Sequence, residues 1–233
     1  METLQKFFIL HARPFRETSL LLDCLTEHHG YISLLAKGVK QRKTNVTATF
    51  QPFQLLLGQW RGRSNLKVIY NAELVATPRR HFVGKTIYSG MYVNELLSRL
   101  LHKQAPCEGI FVLYQTLMRS DLTALDLRCF EKALLKELGY DLQLSITTDT
   151  HQPVEPQKRY HFTRDFGLIE AAQNVSPGED RTVFDGASLL AMAKDHYPNE
   201  QVMKDARRLM RLAFIPLLGE KPLKIREIMR QIV

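Results

Sequence analysis

The sequence predicts an α+β protein in which a small five-stranded β-barrel precedes a mainly α-helical region containing a small β-hairpin. Three observations predict this fold class. The first third of the 233-residue chain consists of short apolar runs bounded by turn residues, as is typical of strands. After residue 80, apolar residues recur with the 3.6-residue period of helices. Residues 1–80 hold 12 Lys and Arg against 5 Asp and Glu, whereas residues 81–233 hold 20 against 19, so the excess positive charge is concentrated in the first part. We therefore predict two domains, residues 1–80 and 81–233.

The predicted strands are runs rich in Val, Ile, Leu and Phe. Arg13 and Pro14 end the first run, residues 27–30 supply a turn, and the glycines and serine of residues 58–65 are typical of a hairpin loop. Five strands within about 80 residues favour a partly open OB-like barrel. An SH3-like barrel fits the spacing nearly as well. The runs are residues 4–12, 19–26, 31–36, 50–59 and 66–77.

The helical part follows Pro78. An apolar stripe at helical spacing extends from Leu127 to Leu138, and Gly139 suits the C-cap position. Residues 141–181 lose the helical period, and within them a hairpin is predicted as a small insertion near residues 158–171. The predicted helices are residues 87–102, 110–119, 127–138, 185–196, 200–218 and 222–232.

Composition and missing motifs narrow the function classes. No apolar run is long enough to span a bilayer, and the first residues do not resemble a signal peptide, so we expect a cytoplasmic protein with no membrane partner. Cys24, Cys107 and Cys129 stand far apart, which predicts reduced thiols, no metal and no cofactor. No nucleotide-binding loop or hydrolase motif is present, so we expect a protein that is not an enzyme.

A cluster of cations follows the third predicted strand. Residues 36–45 read AKGVKQRKTN and form a predicted loop. Mobile Lys and Arg side chains can follow a phosphate backbone without a fixed register, which suits binding that does not depend on base sequence. A solvated loop with no ligand is the alternative, but the basic character of the whole barrel favours binding. The candidate nucleic-acid-binding residues of this loop are Lys37, Lys40, Arg42 and Lys43.

A second basic patch surrounds the single tryptophan of the chain. Trp60 with Arg61, Arg63 and Lys67 offers an aromatic ring beside cations, which can stack a base while the cations hold phosphates. The alternative, of equal weight, is that Trp60 belongs to the barrel core.

Four cations in residues 200–218 share one helix face. Their opposite face is apolar, as in an ordinary amphipathic helix with a solvated polar side. The same face also suits a second DNA strand or an acidic peptide. The four are Lys204, Arg207, Arg208 and Arg211.

Several segments resemble the bacterial RecO family. Residues 8–22, FILHARPFRETSLLL, and residues 35–38, LAKG, resemble the start of these proteins. Residues 87–100, IYSGMYVNELLSRL, are the sharpest match and resemble the first helix of the family's C-terminal domain. Residues 130–140 and 218–227 match as well, so the resemblance covers essentially the whole chain.

The resemblance implies a recombination mediator that binds single- and double-stranded DNA and anneals complementary strands. Such a protein loads RecA onto strands coated by single-strand-binding protein (SSB), together with RecR and, in some pathways, RecF. Some members carry a four-cysteine zinc site after the Gly-Tyr helix end, but residues 141–181 contain no cysteine, so no zinc is expected. The family also binds the acidic C-terminal tail of SSB, which needs a cation beside an apolar pocket. Our candidates for that contact are Arg128 with Leu127 and Phe130, followed by Arg208 and Arg211.

Two alternatives stay open. The same barrel suits a binding module for structured RNA. An enzyme with a catalytic site assembled from distant residues of the helical region is the less favoured alternative.

Overall fold

The structure, a computed structural model, describes residues 4–39, 49–62, 65–75, 82, 84–163, 166–172, 180–219 and 221–232. The chain forms two compact units: Met1–Asp121 with Pro222–Val233, and Leu122–Lys221. The first unit contains the barrel, and the second contains a small sheet with helices. The predicted division into residues 1–80 and 81–233 stays a prediction.

Five strands close into a barrel in the order β1-β2-β3-β5-β4. Neighbouring strands are antiparallel, except that β3 and β5 run parallel. Alternate residues of the strands, among them Phe7, Leu22 and Leu34, fill the barrel core. The predicted fold class, with its OB-like barrel, is confirmed. The strands are β1 (Gln5–Phe15), β2 (Ser19–Thr26), β3 (Gly30–Ala36), β4 (Leu55–Arg61) and β5 (Leu66–Leu74).

The prediction that Arg13 and Pro14 end the first strand was wrong. β1 continues to Phe15, and Pro14 pairs with Leu20 of β2. Proline lacks the N–H that a central strand uses, but β4 pairs only with the first residues of β1, as far as Phe8. At Pro14, β1 is therefore paired on one side by β2 and is not paired by β4 on the other. A strand with one unpaired side tolerates proline.

Both faces of β1 are buried over residues 7–10. Phe7 and Ile9 point into the barrel core, while Phe8 on the other face packs its ring edge-on against Tyr114, with the centroids 4.9 Å apart. A strand covered on both sides carries a continuous apolar run instead of an alternating pattern. The helices of this unit are α1 (Lys85–Leu100), α2 (Glu108–Arg119) and α6 (Lys224–Ile232).

A buried hydrogen-bond chain joins the barrel to α1 and α2. The register between β1 and β2 shifts between Ile9 and His11, so Leu10 is an extra residue in the ladder. The Nδ2 of Asn94 in α1 donates to the carbonyl of Leu10 at 2.8 Å, and the hydroxyl of Tyr114 in α2 donates to the Oδ1 of Asn94 at 2.6 Å. Buried polar groups at this junction are thereby satisfied.

Helix α6 is held against α1 through its N-terminus. The carboxylate of Glu95 accepts from the backbone N–H groups of Lys224 and Ile225, at 2.8 and 2.9 Å. The N–H groups of a first helical turn have no partner within their own helix, so a carboxylate from a neighbouring helix stabilises them. Residues 222–232 therefore belong to the barrel unit, although the whole second unit separates them from it in the sequence.

The second unit contains the predicted hairpin. β6 and β7 pair antiparallel, which confirms the hairpin, and β8 adds a third strand that the sequence pattern did not predict. Asp185, predicted to begin a helix, ends β8, and the helix starts at the next residue. No described helix is both long and apolar enough to cross a membrane. The elements are α3 (Ala124–Glu137), β6 (Arg159–Thr163), β7 (Gly167–Glu170), β8 (Val183–Asp185), α4 (Gly186–Ala193) and α5 (Glu200–Leu218).

Candidate nucleic-acid interface

Lys37 lies exposed at the point where β3 ends. The last pair between the parallel strands β3 and β5 joins Ala36 to Ile69, so the residues that follow this pair are Lys37 and Tyr70. The two side chains therefore belong to neighbouring positions of the barrel surface. The other candidates of the basic loop, Lys40, Arg42 and Lys43, lie outside the described residues.

Trp60 belongs to the barrel core. Its residue surface is 7% exposed, and its ring packs edge-on against Phe7 with the centroids 5.8 Å apart. The ring of His29 approaches it from another side, at 6.0 Å. A ring that stacks a base must be accessible, so this burial supports the interpretation of Trp60 as a core residue and not as a stacking surface.

The cations next to Trp60 differ in their surroundings. Arg61 is exposed at the end of β4, and its guanidinium lies 5.9 Å from the centroid of the Tyr70 ring. Lys67 is half-buried and donates to the carbonyl of Gly62 at 3.2 Å, which holds its charge at the loop between β4 and β5. Arg63 lies outside the described residues.

A β-bulge in β5 adds Tyr70 to the strand as a residue without a ladder partner on β4. Trp60 faces Ile69, and the preceding Gln59 faces Asn71, so Tyr70 is the extra residue of the bulge. Such a residue interrupts the alternation of a strand and re-aims side chains. Ile69 points into the core, whereas Tyr70 is 53% exposed. The sequence analysis did not identify Tyr70, because the run over residues 66–77 predicts a regular strand and contains no glycine to mark a bulge.

Two other basic residues of the described barrel are paired with carboxylates. The Nζ of Lys6 lies 3.2 Å from Glu27, and a terminal nitrogen of Arg13 lies 3.8 Å from Asp23. Within the part of the chain that the structure describes, no carboxylate forms an ion pair with Lys37 or Arg61. These two positive charges are therefore available to an anionic ligand.

Comparison with known proteins identifies the family. Residues 1–78 match the family described as Recombination protein O N terminal, and residues 81–213 match Recombination protein O C terminal. The chain belongs to the RecO family. A relative in Serratia proteamaculans (strain 568), named DNA repair protein RecO, is 40% identical over a 238-residue alignment covering 100% of this chain and 96% of the relative. A relative of the same name in Coxiella burnetii (strain RSA 331 / Henzerling II) is 40% identical over 230 residues, covering 97% of each chain. The resemblance noted in the sequence is thus confirmed.

In this RecO family chain, the first candidate for the SSB tail is not a surface cation. Arg128 is 7% exposed, and its Nη2 donates to the Oε1 of the buried Glu131 at 2.8 Å. Phe130 is buried as well, and Leu127 is half-buried. A peptide carboxylate needs an accessible cation, and Glu131 already neutralises this one. The structure therefore argues against Arg128 as the tail-binding residue.

The other two candidates lie on α5. The guanidinium of Arg208 stacks 4.2 Å from the centroid of the Phe184 ring and donates to the carbonyl of Val183 at 2.7 Å and to Asp205 at 2.9 Å. These contacts give Arg208 a structural role between α5 and β8. Arg211 is exposed, which makes it the more accessible of the two.

An apolar pocket lies within the second unit of this RecO family chain. It has a volume of about 440 Å³ and is lined by residues such as Leu135, Phe162, Leu168 and Leu212. Asp141 is the charged residue among the described residues that line the pocket. A carboxylate at the pocket repels an acidic peptide, so the pocket alone does not supply the cation that the SSB tail needs.

Proposed function

We propose that this RecO family protein acts in DNA repair by binding single- and double-stranded DNA on its barrel and annealing complementary strands. Together with RecR, and with RecF in some pathways, it helps to load RecA onto strands coated by SSB. The observation that carries the proposal is the exposed pair Lys37 and Arg61, which no described carboxylate neutralises, on the barrel of a chain whose relatives are named DNA repair proteins.

The proposed mechanism is electrostatic. Cations that neutralise phosphates release the counterions condensed on DNA, and this release favours binding to any base sequence. Two strands held on one basic surface repel each other less, so their bases can pair without a covalent step or nucleotide hydrolysis. From the sequence, Lys40, Arg42, Lys43 and Arg63 extend the basic surface that Lys37 and Arg61 begin.

The proposed protein partners use the helical region. We assign the acidic C-terminal tail of SSB to the exposed face of α5 that carries Arg211, because Arg211 is exposed whereas Arg128 is buried and Arg208 is half-buried. A tail bound there contacts the second unit, whereas the proposed DNA contacts belong to the barrel unit.

Binding of a labelled single strand across a salt series tests the DNA-binding assignment. The double variant Lys37→Glu/Arg61→Glu should bind more weakly at low salt, and its log K against log[salt] slope should be shallower by about 1.4, since each lost phosphate contact removes about 0.7 for a single strand. The matched control is Lys136→Glu/Lys194→Glu, which makes the same change in net charge at exposed positions of the second unit.

The same proteins should then be compared in annealing of two complementary oligonucleotides without ATP or metal. We expect fast annealing that fades as salt rises, and a loss of rate in the barrel variant but not in the control. If the barrel variant keeps both the parent affinity and the parent slope, the assignment to Lys37 and Arg61 is wrong. If RNA of equal length displaces the DNA at a lower concentration than DNA itself does, the barrel is an RNA-binding module instead.

A further inference from the structure

We propose that Tyr70 is a stacking platform for an unpaired base, which gives the barrel a preference for single strands over duplex. This inference rests on the proposed DNA binding and specifies how the strand is held. Among the aromatic residues of the described barrel strands, Tyr70 is the exposed one, with 53% of its surface accessible. Trp60, in contrast, is buried in the core.

The bulge accounts for the extra residue at Tyr70 on the outer side of β5. In a regular antiparallel ladder, residues alternate between the core and the solvent, and β5 needs Ile69 and Ala72 to face inward on either side of this point. Inserting one extra residue allows both, and that residue carries an aromatic ring directed away from the core. The core at this point is completed by Ile69 and Ala72, so Tyr70 does not contribute to it.

The charges around the ring match a nucleotide. Arg61 lies with its guanidinium 5.9 Å from the ring centroid, and more than half of the Tyr70 surface is exposed with Arg61 in place. Lys37 follows the last β3–β5 pair beside it. Proteins that bind single strands stack a base on an aromatic ring and hold the adjoining phosphates with cations. Tyr70, with Arg61 and Lys37, offers the same combination.

Stacking distinguishes single strands from duplex because a paired base is already stacked on its neighbours. Cations contact the phosphates of both forms, so the electrostatic part of binding does not discriminate in this way. A base held on Tyr70 would anchor the strand while leaving the bases on either side free to pair. The platform therefore adds strand selectivity to the annealing surface.

The test measures the affinity of the full-length protein for three ligands of equal length: a single strand, a duplex, and a strand of abasic sugar-phosphate units. Tyr70→Leu should bind the single strand about tenfold more weakly. Its affinity for the duplex and the abasic strand should stay within about twofold of the parent, and Tyr70→Phe should behave as the parent because it keeps the ring. Tyr140→Leu, at an exposed tyrosine of the second unit, is the matched control and should change none of the three affinities.

A second variant keeps the proposal testable if leucine at this position disturbs the bulge. Tyr70→Trp adds one indole to a chain whose own Trp60 is buried. Its added emission should be quenched by the single strand and much less by the duplex, because stacking on a base quenches indole. Equal quenching by both, or none, would contradict the platform.

The outcomes separate this inference from the proposed function. If Lys37→Glu/Arg61→Glu loses binding while Tyr70→Leu binds the single strand as the parent does, the barrel binds DNA but Tyr70 is no platform. If Tyr70→Leu weakens all three ligands equally, Tyr70 supports the surface without stacking, and the inference is again overturned. If the parent binds no DNA at low salt, the proposed function fails and the inference fails with it.

Discussion

The hydrogen-bond chain that joins Leu10, Asn94 and Tyr114 yields a prediction about stability. In Asn94→Leu, the buried Leu10 carbonyl loses its amide donor and the buried Tyr114 hydroxyl loses its acceptor. A buried polar group left without a partner costs about 1–3 kcal/mol, so the two orphaned groups should destabilise the barrel unit by about 2–6 kcal/mol. Tyr114→Phe leaves only the Asn94 oxygen without a donor and should cost about 1–3 kcal/mol.

The sharper expectation concerns the double variant. When Asn94→Leu and Tyr114→Phe are combined, the Tyr114 hydroxyl no longer exists to be orphaned, and only the Leu10 carbonyl stays unsatisfied. The double variant should therefore be more stable than Asn94→Leu alone, by about 1–3 kcal/mol. If the effects of the two changes partly cancel in the double variant, the side chains of Asn94 and Tyr114 interact directly.

Equilibrium unfolding in urea, followed by tryptophan fluorescence, measures these differences. Trp60 is the single tryptophan and lies in the barrel core, so its emission reports on the unit that contains the chain of hydrogen bonds. Tyr88→Phe removes a hydroxyl from another tyrosine of α1 and should change the free energy of unfolding little. A double variant whose loss equals the sum of the two single losses would refute the reasoning, because the two groups would then act independently.

Two further predictions concern the SSB tail and pH. Arg211→Glu should weaken binding of a labelled peptide with the acidic SSB tail sequence at least tenfold, as measured by fluorescence anisotropy. The control Lys136→Glu should bind the peptide as the parent does. If Arg211→Glu binds the peptide unchanged, Arg211 is not part of the site. Burial raises the pKa of Cys107 from 9.0 to about 11, and burial, with a smaller effect of Asp23, raises that of Tyr31 from 10.0 to about 12. The folded chain holds these protons more tightly than the unfolded chain, so their contribution to stability is complete below about pH 9 and is lost as pH rises towards 11–12. The urea midpoint should fall from pH 9 to pH 11, less steeply in Cys107→Ala; equal slopes would show that Cys107 does not contribute.

Local signals in the sequence were sufficient for most of the elements. β2 has the predicted bounds because the turns that flank it have a clear residue chemistry, and α5 spans the predicted residues because its apolar period is strong and Asn199 caps it. β1 and β8 were misjudged for a different reason. Whether Pro14 ends a strand depends on which neighbour lies beside it, and β8 is only three residues long and exists by pairing with β6.

The candidate site was predicted as a region but not as a set of side chains. The basic character of the barrel, with Lys37 and Arg61, follows from composition and order along the chain. The burial of individual side chains does not follow from composition. In the sequence, Trp60 and Arg128 could equally be exposed binding residues. In the structure both are buried: Trp60 packs against Phe7, and Arg128 pairs with Glu131. Which face of a strand or helix such a residue occupies is decided by tertiary packing, and a single sequence carries little information about it.

Each of two β-bulges in the barrel provides a residue that makes a contact outside the barrel core. In β1 the extra residue is Leu10, whose carbonyl accepts from Asn94 and so fastens α1 to the barrel. In β5 the extra residue is Tyr70, which is directed to solvent beside Arg61. A bulge leaves one residue of its strand outside the regular pairing, and that residue can serve another contact. One bulge supplies an attachment for helices and the other, on our proposal, a contact for the bound strand. The two differ in what a change would cost: Leu10 is buried and its carbonyl is bound by Asn94, whereas Tyr70 is exposed, so a substitution at Tyr70 should affect binding more than the stability of the barrel.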